Sequence, residues 1–120
     1  EATYARKIEK QEGALDWSAA AALLARRVRA FHPAPGCYTL LGGDRLKVVA
    51  AHAIDEPHHG TAGEIVMADE LGIRVSCGEG QLVITEAQLP GAKAQPVATL
   101  LHGHQARFQP GQRLGDANLA

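Results

Sequence analysis

The sequence has 120 residues, of which 46% are hydrophobic and 21% are charged. These are values of a globular domain, and they exclude an intrinsically disordered chain and a chain of two ordinary domains. Aromatic residues make up only 4%, so we expect a core of Val, Ile, Leu and Ala. Twelve basic residues face thirteen acidic ones, and the formal net charge of −1 by itself argues against an RNA-binding function. A polyanion partner would need the basic residues gathered on one face.

Membrane and secretory signals are absent from the sequence. No apolar run approaches the roughly 20 residues that span a bilayer, and the N-terminus has no signal-peptide pattern. Cys37 and Cys77 follow neither a C-x-x-C nor a dense secreted pattern, so we expect buried thiols in a reducing, cytoplasmic environment. Because the chain begins at Glu1 without a methionine, we expect a fragment of a longer protein.

The first segment, residues 1–15, is highly charged and predicts a basic interdomain linker leading into a domain at 16–120. Three of its cations fall within one and a half helical turns of each other: Arg6, Lys7 and Lys10.

An amphipathic helix is predicted next, over about 18–31. Ser18 is a suitable N-cap, because its hydroxyl can accept from free amides of the first turn. The apolar positions at helical spacing predict its core face: Ala21, Leu24, Val28 and Phe31. The helix is expected to stop at His32, which precedes a proline.

The pattern then changes to short β-prone runs. They lie at 37–41, 45–50, 64–68, 73–77 and 81–87. The glycine pair between the first two runs predicts a hairpin, and a short helix is predicted near 96–103. Several strands at spacings of about 8–12 residues are typical of a small antiparallel barrel. We therefore expect a mainly β fold, an OB-like barrel preceded by the amphipathic helix.

Catalytic and metal-binding patterns are weak. The histidine pairs that invite a metal hypothesis are His58 with His59 and His102 with His104. Neither pair has zinc-finger spacing with a cysteine, and we expect solvated histidines and no metal. The sequence has no G-x-S-x-G elbow, and its paired acids fit solvated turns. We expect no catalytic site and no cofactor within this chain.

Basic residues in the β region are more informative. Arg45 and Lys47 are two positions apart on one predicted strand, so their side chains leave the same face of the sheet. Lys93 lies in a predicted loop. OB-type barrels bind polyanions with strand faces and adjoining loops. Judged by residue types alone, a polyanion-binding face and scattered solubilising charges explain these positions equally well.

Motifs in order along the chain carry a family resemblance. They are D-W-S at 16–18, L-x-R-x-V-R-A-F at 24–31, H-P-A-P-G at 32–36, G-T-A-G at 60–63, C-G-E-G at 77–80 and P-G-Q-R-L-G at 110–115. This sequence resembles the C-terminal domain of the methionyl-tRNA formyltransferase family over nearly its whole length. Two positions depart from the family turn, since His32 stands where asparagine is usual and Ala34 where tryptophan is usual.

The resemblance implies a function in translation initiation. Members of that family transfer a formyl group from 10-formyltetrahydrofolate to methionine on initiator tRNA, and an N-terminal domain carries the catalysis. The C-terminal domain is an OB-like barrel that helps hold the tRNA. The expected tRNA-binding residues are Arg6, Lys7, Lys10, Arg45, Lys47 and Lys93. The expected partners are initiator methionyl-tRNA and the N-terminal catalytic domain of the same chain, with the protein a monomer.

Two alternatives stay open at this stage. The first is an accessory domain of a related formyl-transferring enzyme that acts on a sugar nucleotide or in folate metabolism. The second is a metal- or protein-binding module unrelated to RNA.

Overall fold

One antiparallel sheet and two helices make up the fold. The computed structural model describes residues 14–32, 36–41, 44–56, 61–104 and 107–114. The elements are α1 (Ala21–Phe31), β1 (Cys37–Leu41), β2 (Asp44–Ile54), β3 (Ile65–Asp69), β4 (Gly72–Ser76), β5 (Gln81–Gln88), β6 (Gln95–Pro96) and α2 (Val97–His104). The strand order is β1-β2-β5-β4-β3, with β6 paired to β5. The predicted mainly β class and both predicted helices are confirmed.

The hairpin of β1 and β2 has the register of a two-residue turn. Leu41 pairs with Asp44 next to the turn, and Tyr38 pairs with Lys47 further along. β2 continues to Ile54, beyond the predicted 45–50, and its pairing with β5 persists across an irregularity after Val48 that is typical of a β-bulge. One long strand therefore pairs with both β1 and β5.

The segment after α2 joins the two edges of the sheet. The Ile65 amide of β3 donates to the Gln112 carbonyl at 2.7 Å. At the other edge, the Arg107 guanidinium donates to the Leu41 carbonyl of β1 at 3.3 Å. Phe108 lies between these contacts and is fully buried. Among the described strands β1 and β3 do not pair, so the sheet is not closed by strand pairing, and this segment contacts both of its edges.

Helix α1 begins at Ala21 rather than at Ser18, and the predicted Ser18 N-cap is wrong. The Ser18 amide and hydroxyl both donate to Asp16 Oδ1, at 3.1 and 2.6 Å. This local turn competes with the helix for the serine side chain. The Ala21 amide donates instead to the Glu79 carbonyl at 2.8 Å, so a distant turn satisfies the first helical amide.

The inner face of the sheet is covered by α1. Ala21, Leu24 and Val28 are buried, in one core cluster with Leu46 and Val48 of β2, and the half-buried Phe31 packs against it. The predicted core face of the helix is therefore confirmed.

Trp17 connects three parts of the chain. Its indole Nε1 donates to Thr39 Oγ1 of β1 at 2.9 Å, and both residues are buried. The Gly78 amide donates to the Trp17 carbonyl at 2.9 Å. A Cβ at Gly78 would lie 1.9 Å from the Ser18 carbonyl oxygen. The C-G-E-G turn therefore needs glycine at this position so that its backbone can pack against the backbone of Ser18.

The segment before Trp17 also packs on the domain. The Leu15 amide donates to the Tyr38 carbonyl at 2.9 Å, and the Leu15 side chain is buried. Ala14 forms a parallel bridge with Tyr38. The packed unit thus includes Ala14 and Leu15, which fall in the predicted linker; residues 1–13 lie outside the described part.

Neither α1 nor α2, nor any other helix in the described ranges, has the length and apolar character needed to cross a membrane.

Leu24→Ala should lower the free energy of unfolding by about 2–5 kcal/mol, because it leaves a cavity in the core. Leu24 is 1% exposed and its neighbour Leu23 is 40% exposed. Leu23→Ala is therefore the matched control and should change stability far less. Urea denaturation of both variants measures the difference, and equal losses would show that Leu24 does not lie in the core.

Thr39→Val should cost about 1–3 kcal/mol, since it keeps the side-chain shape but leaves the buried indole N–H of Trp17 without its acceptor. The exposed Thr61 offers a control, where Thr61→Val should stay within about 0.5 kcal/mol. The same denaturation measurement applies, and a Thr39→Val variant as stable as the control would contradict this account of the Trp17 contact.

Candidate nucleic-acid interface

The outer face of the β1–β2 hairpin carries two of the predicted site residues side by side. Arg45 is exposed and Lys47 is half-buried, while the alternate residues Leu46 and Val48 lie in the core. The alternation expected for a strand therefore places both cations on the face opposite α1.

Tyr38 lies beneath one of these cations. The Arg45 Cζ atom sits 4.1 Å from the centroid of the Tyr38 ring. A guanidinium at this distance is attracted by the electron-rich ring face. In the hairpin register Tyr38 is also directly opposite Lys47. One aromatic ring thus lies beside both cations.

The end of the Lys47 side chain packs over a glycine. A Cβ at Gly36 would lie 2.5 Å from Lys47 Cε and 3.3 Å from Nζ, so the end of the lysine side chain runs across the bare Gly36 backbone. The φ of +86° at Gly36 is also one that residues with a Cβ rarely adopt. Both observations explain why glycine suits the end of the H-P-A-P-G motif.

Lys93 is exposed in the loop between β5 and β6. The Gln88 side-chain amide donates to the Ala92 carbonyl at 2.6 Å, which holds the residue before Lys93. Gln88 pairs with Lys47 across β2 and β5. The loop of Lys93 is therefore anchored at the end of the sheet where Lys47 lies.

Acidic groups bound this face. Asp44 pairs with Arg107 at 2.7 Å, which offsets a negative charge beside Arg45. Glu86 of β5 is half-buried, two residues from Gln88 on the same side of the strand. The resulting cationic strand face, which we define as Arg45 and Lys47 with the adjoining Lys93 loop, is local and does not require an excess of basic residues in the chain.

The remaining predicted site residues, Arg6, Lys7 and Lys10, lie outside the described residues. Arg26 and Arg29 are exposed on α1, which covers the opposite side of the sheet, so they do not extend the cationic strand face.

Metal ligands do not converge within the described ranges, where no group of three or more His, Cys, Asp or Glu could hold an ion. His102 and His104 are exposed in the last turn of α2. The pair at 58–59 falls outside those ranges.

Both cysteines are buried and free, as predicted. Burial raises the pKa of the Cys77 thiol to about 11, against a weaker lowering by the backbone at Leu82. Burial also raises the pKa of Cys37, and Arg27 opposes that shift. Thiols held in the protonated form are poor nucleophiles at neutral pH.

Unfolding should become easier as the pH rises from about 9 to about 11. The usual thiol pKa is 9.0 and that of folded Cys77 is about 11, so the unfolded state loses its proton first and the stability present below pH 9 is progressively lost. Denaturation at pH 8 and pH 10.5 measures the change. Cys77→Ala removes the thiol and should show a smaller loss over this range; an equal loss would refute the assignment.

Two residues of this face, Tyr38 and Gln88, escaped the sequence interpretation. The sequence held a signal for Tyr38, because the hairpin predicted around the glycine pair would place Leu41 opposite Asp44 and hence Tyr38 opposite Lys47, which is the register found. Gln88 had no such signal, since its place depends on the pairing of β2 with β5 across a bulge.

The fold and this face define a small, mainly β domain with one cationic strand face. The profile of the family "Formyl transferase, C-terminal domain" matches residues 7–105. This chain belongs to that family.

Curated relatives agree with the family match. A methionyl-tRNA formyltransferase of Marinobacter nauticus is 42% identical over 114 residues, covering 95% of this chain and 37% of that protein. One of Pseudomonas paraeruginosa is 46% identical, covering 95% of this chain and 36% of that protein. The chain thus spans little more than a third of the length of these relatives.

Solved structures show the same fold at low identity. HypX from Aquifex aeolicus, in complex with tetrahydrofolic acid, superposes with a TM-score of 0.63 at 21% identity, covering 79% of this chain and 17% of HypX.

Proposed function

We propose that this chain is the C-terminal domain of a methionyl-tRNA formyltransferase and that its cationic strand face holds initiator methionyl-tRNA through backbone phosphates. The observation that carries the proposal is the placement of Arg45 and Lys47 side by side on the outer face of β2, in a chain more than 40% identical to enzymes of that name.

Phosphate contacts suit the chemistry of this face. A guanidinium can donate two parallel hydrogen bonds to a phosphate, and an ammonium adds a point charge beside it. Such contacts hold a polynucleotide in register but do not read its sequence. Initiator discrimination is accordingly assigned to the rest of the enzyme.

Catalysis in this proposal belongs to an N-terminal domain of the parent enzyme, with 10-formyltetrahydrofolate as formyl donor. The domain at 16–120 then acts by binding, and the linker at 1–15 adds Arg6, Lys7 and Lys10 to the tRNA contacts. The parent enzyme acts as a cytoplasmic monomer in translation initiation.

The alternative of an accessory domain in another formyl-transferring enzyme has weaker support. HypX shares the fold at 21% identity, and this likeness carries no information on what the domain binds. The relatives with about twice that identity, 42% and 46%, are named methionyl-tRNA formyltransferase.

The purified chain should bind initiator tRNA at low salt with an affinity that falls as salt rises. Each neutralised phosphate releases counterions, so log K should decrease with log salt by roughly 0.7–0.9 per contact. Lys47→Ala should weaken binding and reduce this slope by about 1. Fluorescence titration across a series of salt concentrations measures both quantities.

The matched control is Arg26→Ala, which removes an exposed cation on the other side of the sheet and should leave the slope unchanged. Lys47→Ala should also weaken elongator tRNA binding to the same extent, because phosphate contacts are independent of sequence. Binding that does not depend on salt, or equal effects of the Lys47 and Arg26 substitutions, would reject the proposal.

A further inference from the structure

Arg45 stands on a strand with its side chain exposed to solvent. A long side chain in such a place ordinarily samples many rotamers, and ordering it on binding a ligand costs free energy. Here the Arg45 guanidinium already lies over the Tyr38 ring at 4.1 Å, so a specific contact limits its freedom.

We infer that Tyr38 is a positioning residue, whose ring holds the Arg45 guanidinium on the sheet face ready to receive a phosphate of the RNA backbone. The inference rests on the proposed function, and it adds a residue that neither the family match nor the basic pattern identifies.

The geometry favours this role over direct contact of Tyr38 with RNA. Arg45 covers one face of the ring, and Tyr38 is itself only half-exposed on β1. A ring under a guanidinium leaves the N–H donors at the edge of the cation available for a bidentate contact with phosphate. The register that pairs Tyr38 with Lys47 places the second cation on the same outer face.

The test is a double-mutant cycle in tRNA binding, with initiator tRNA as the probe and the 120-residue chain as the protein. The variants are Tyr38→Leu, Tyr38→Phe, Arg45→Ala and the double variant Tyr38→Leu/Arg45→Ala. Tyr38→Leu should weaken binding about two- to fivefold, the size expected of an exposed cation–π contact. Tyr38→Phe keeps the ring and should bind like the parent chain.

The decisive comparison is made in the Arg45→Ala background, where Tyr38→Leu should have no further effect on affinity. A loss that persists there would show that Tyr38 acts by another route than Arg45, through the RNA itself or through Lys47. An unchanged affinity for Tyr38→Leu alone would show that the ring does not position Arg45. Either result overturns the inference.

These outcomes differ from failure of the proposed function. If the parent chain shows no salt-dependent binding to tRNA, the proposed function falls and the inference falls with it. If the parent chain binds and Arg45→Ala weakens binding while Tyr38→Leu does not, only the inference fails. The thermal unfolding midpoint of Tyr38→Leu is measured first, and the tRNA titrations are then carried out well below that temperature. The affinities compared are therefore those of folded proteins.

Discussion

The pairing register of β1 with β2 is the constraint on which both the core and the candidate interface depend. With Tyr38 opposite Lys47, the alternate residues Leu46 and Val48 face α1 and the cations face solvent. A slip of one residue would exchange the two faces, burying Arg45 and exposing the apolar set. The cost of a buried unpaired charge therefore fixes the register, and the register fixes the cationic strand face.

The sheet itself is held in shape by parts of the chain far apart in sequence. The Trp17 indole donates a hydrogen bond to Thr39 of β1, and the Trp17 carbonyl accepts one from the amide of Gly78, which follows β4. Phe108 is also buried, and the backbone of the residues that follow it, at 111–112, forms hydrogen bonds with Ile65 of β3. Aromatic residues are few, and two of them serve as these long-range connections.

A chain with nearly balanced charge can still present a basic surface. The Asp44 carboxylate next to Arg45 pairs with Arg107, while the helix arginines lie on the other side of the sheet. What matters for a polyanion is the local arrangement of charge, since screening limits interactions between exposed groups to about 10 Å in ordinary salt. Net charge says nothing about where basic residues gather, whereas strand alternation predicted that Arg45 and Lys47 share one face of the sheet.

The sequence by itself determined the core face of α1, the positions of β1 to β5 apart from the full length of β2, the β1–β2 hairpin and the placement of Arg45 and Lys47 on one face. Each of these follows from spacing along a single element or from a short turn. The tertiary structure decided where α1 begins. There the Ala21 amide donates to the Glu79 carbonyl, and the Ser18 hydroxyl donates to Asp16 rather than capping the helix. It also decided the hydrogen bond from Gln88 to the Lys93 loop, the contacts of residues 107–112 with both edges of the sheet and the burial that raises the pKa of Cys77. These features depend on contacts between segments that are distant in sequence. Local periodicity does not determine which distant segments come into contact.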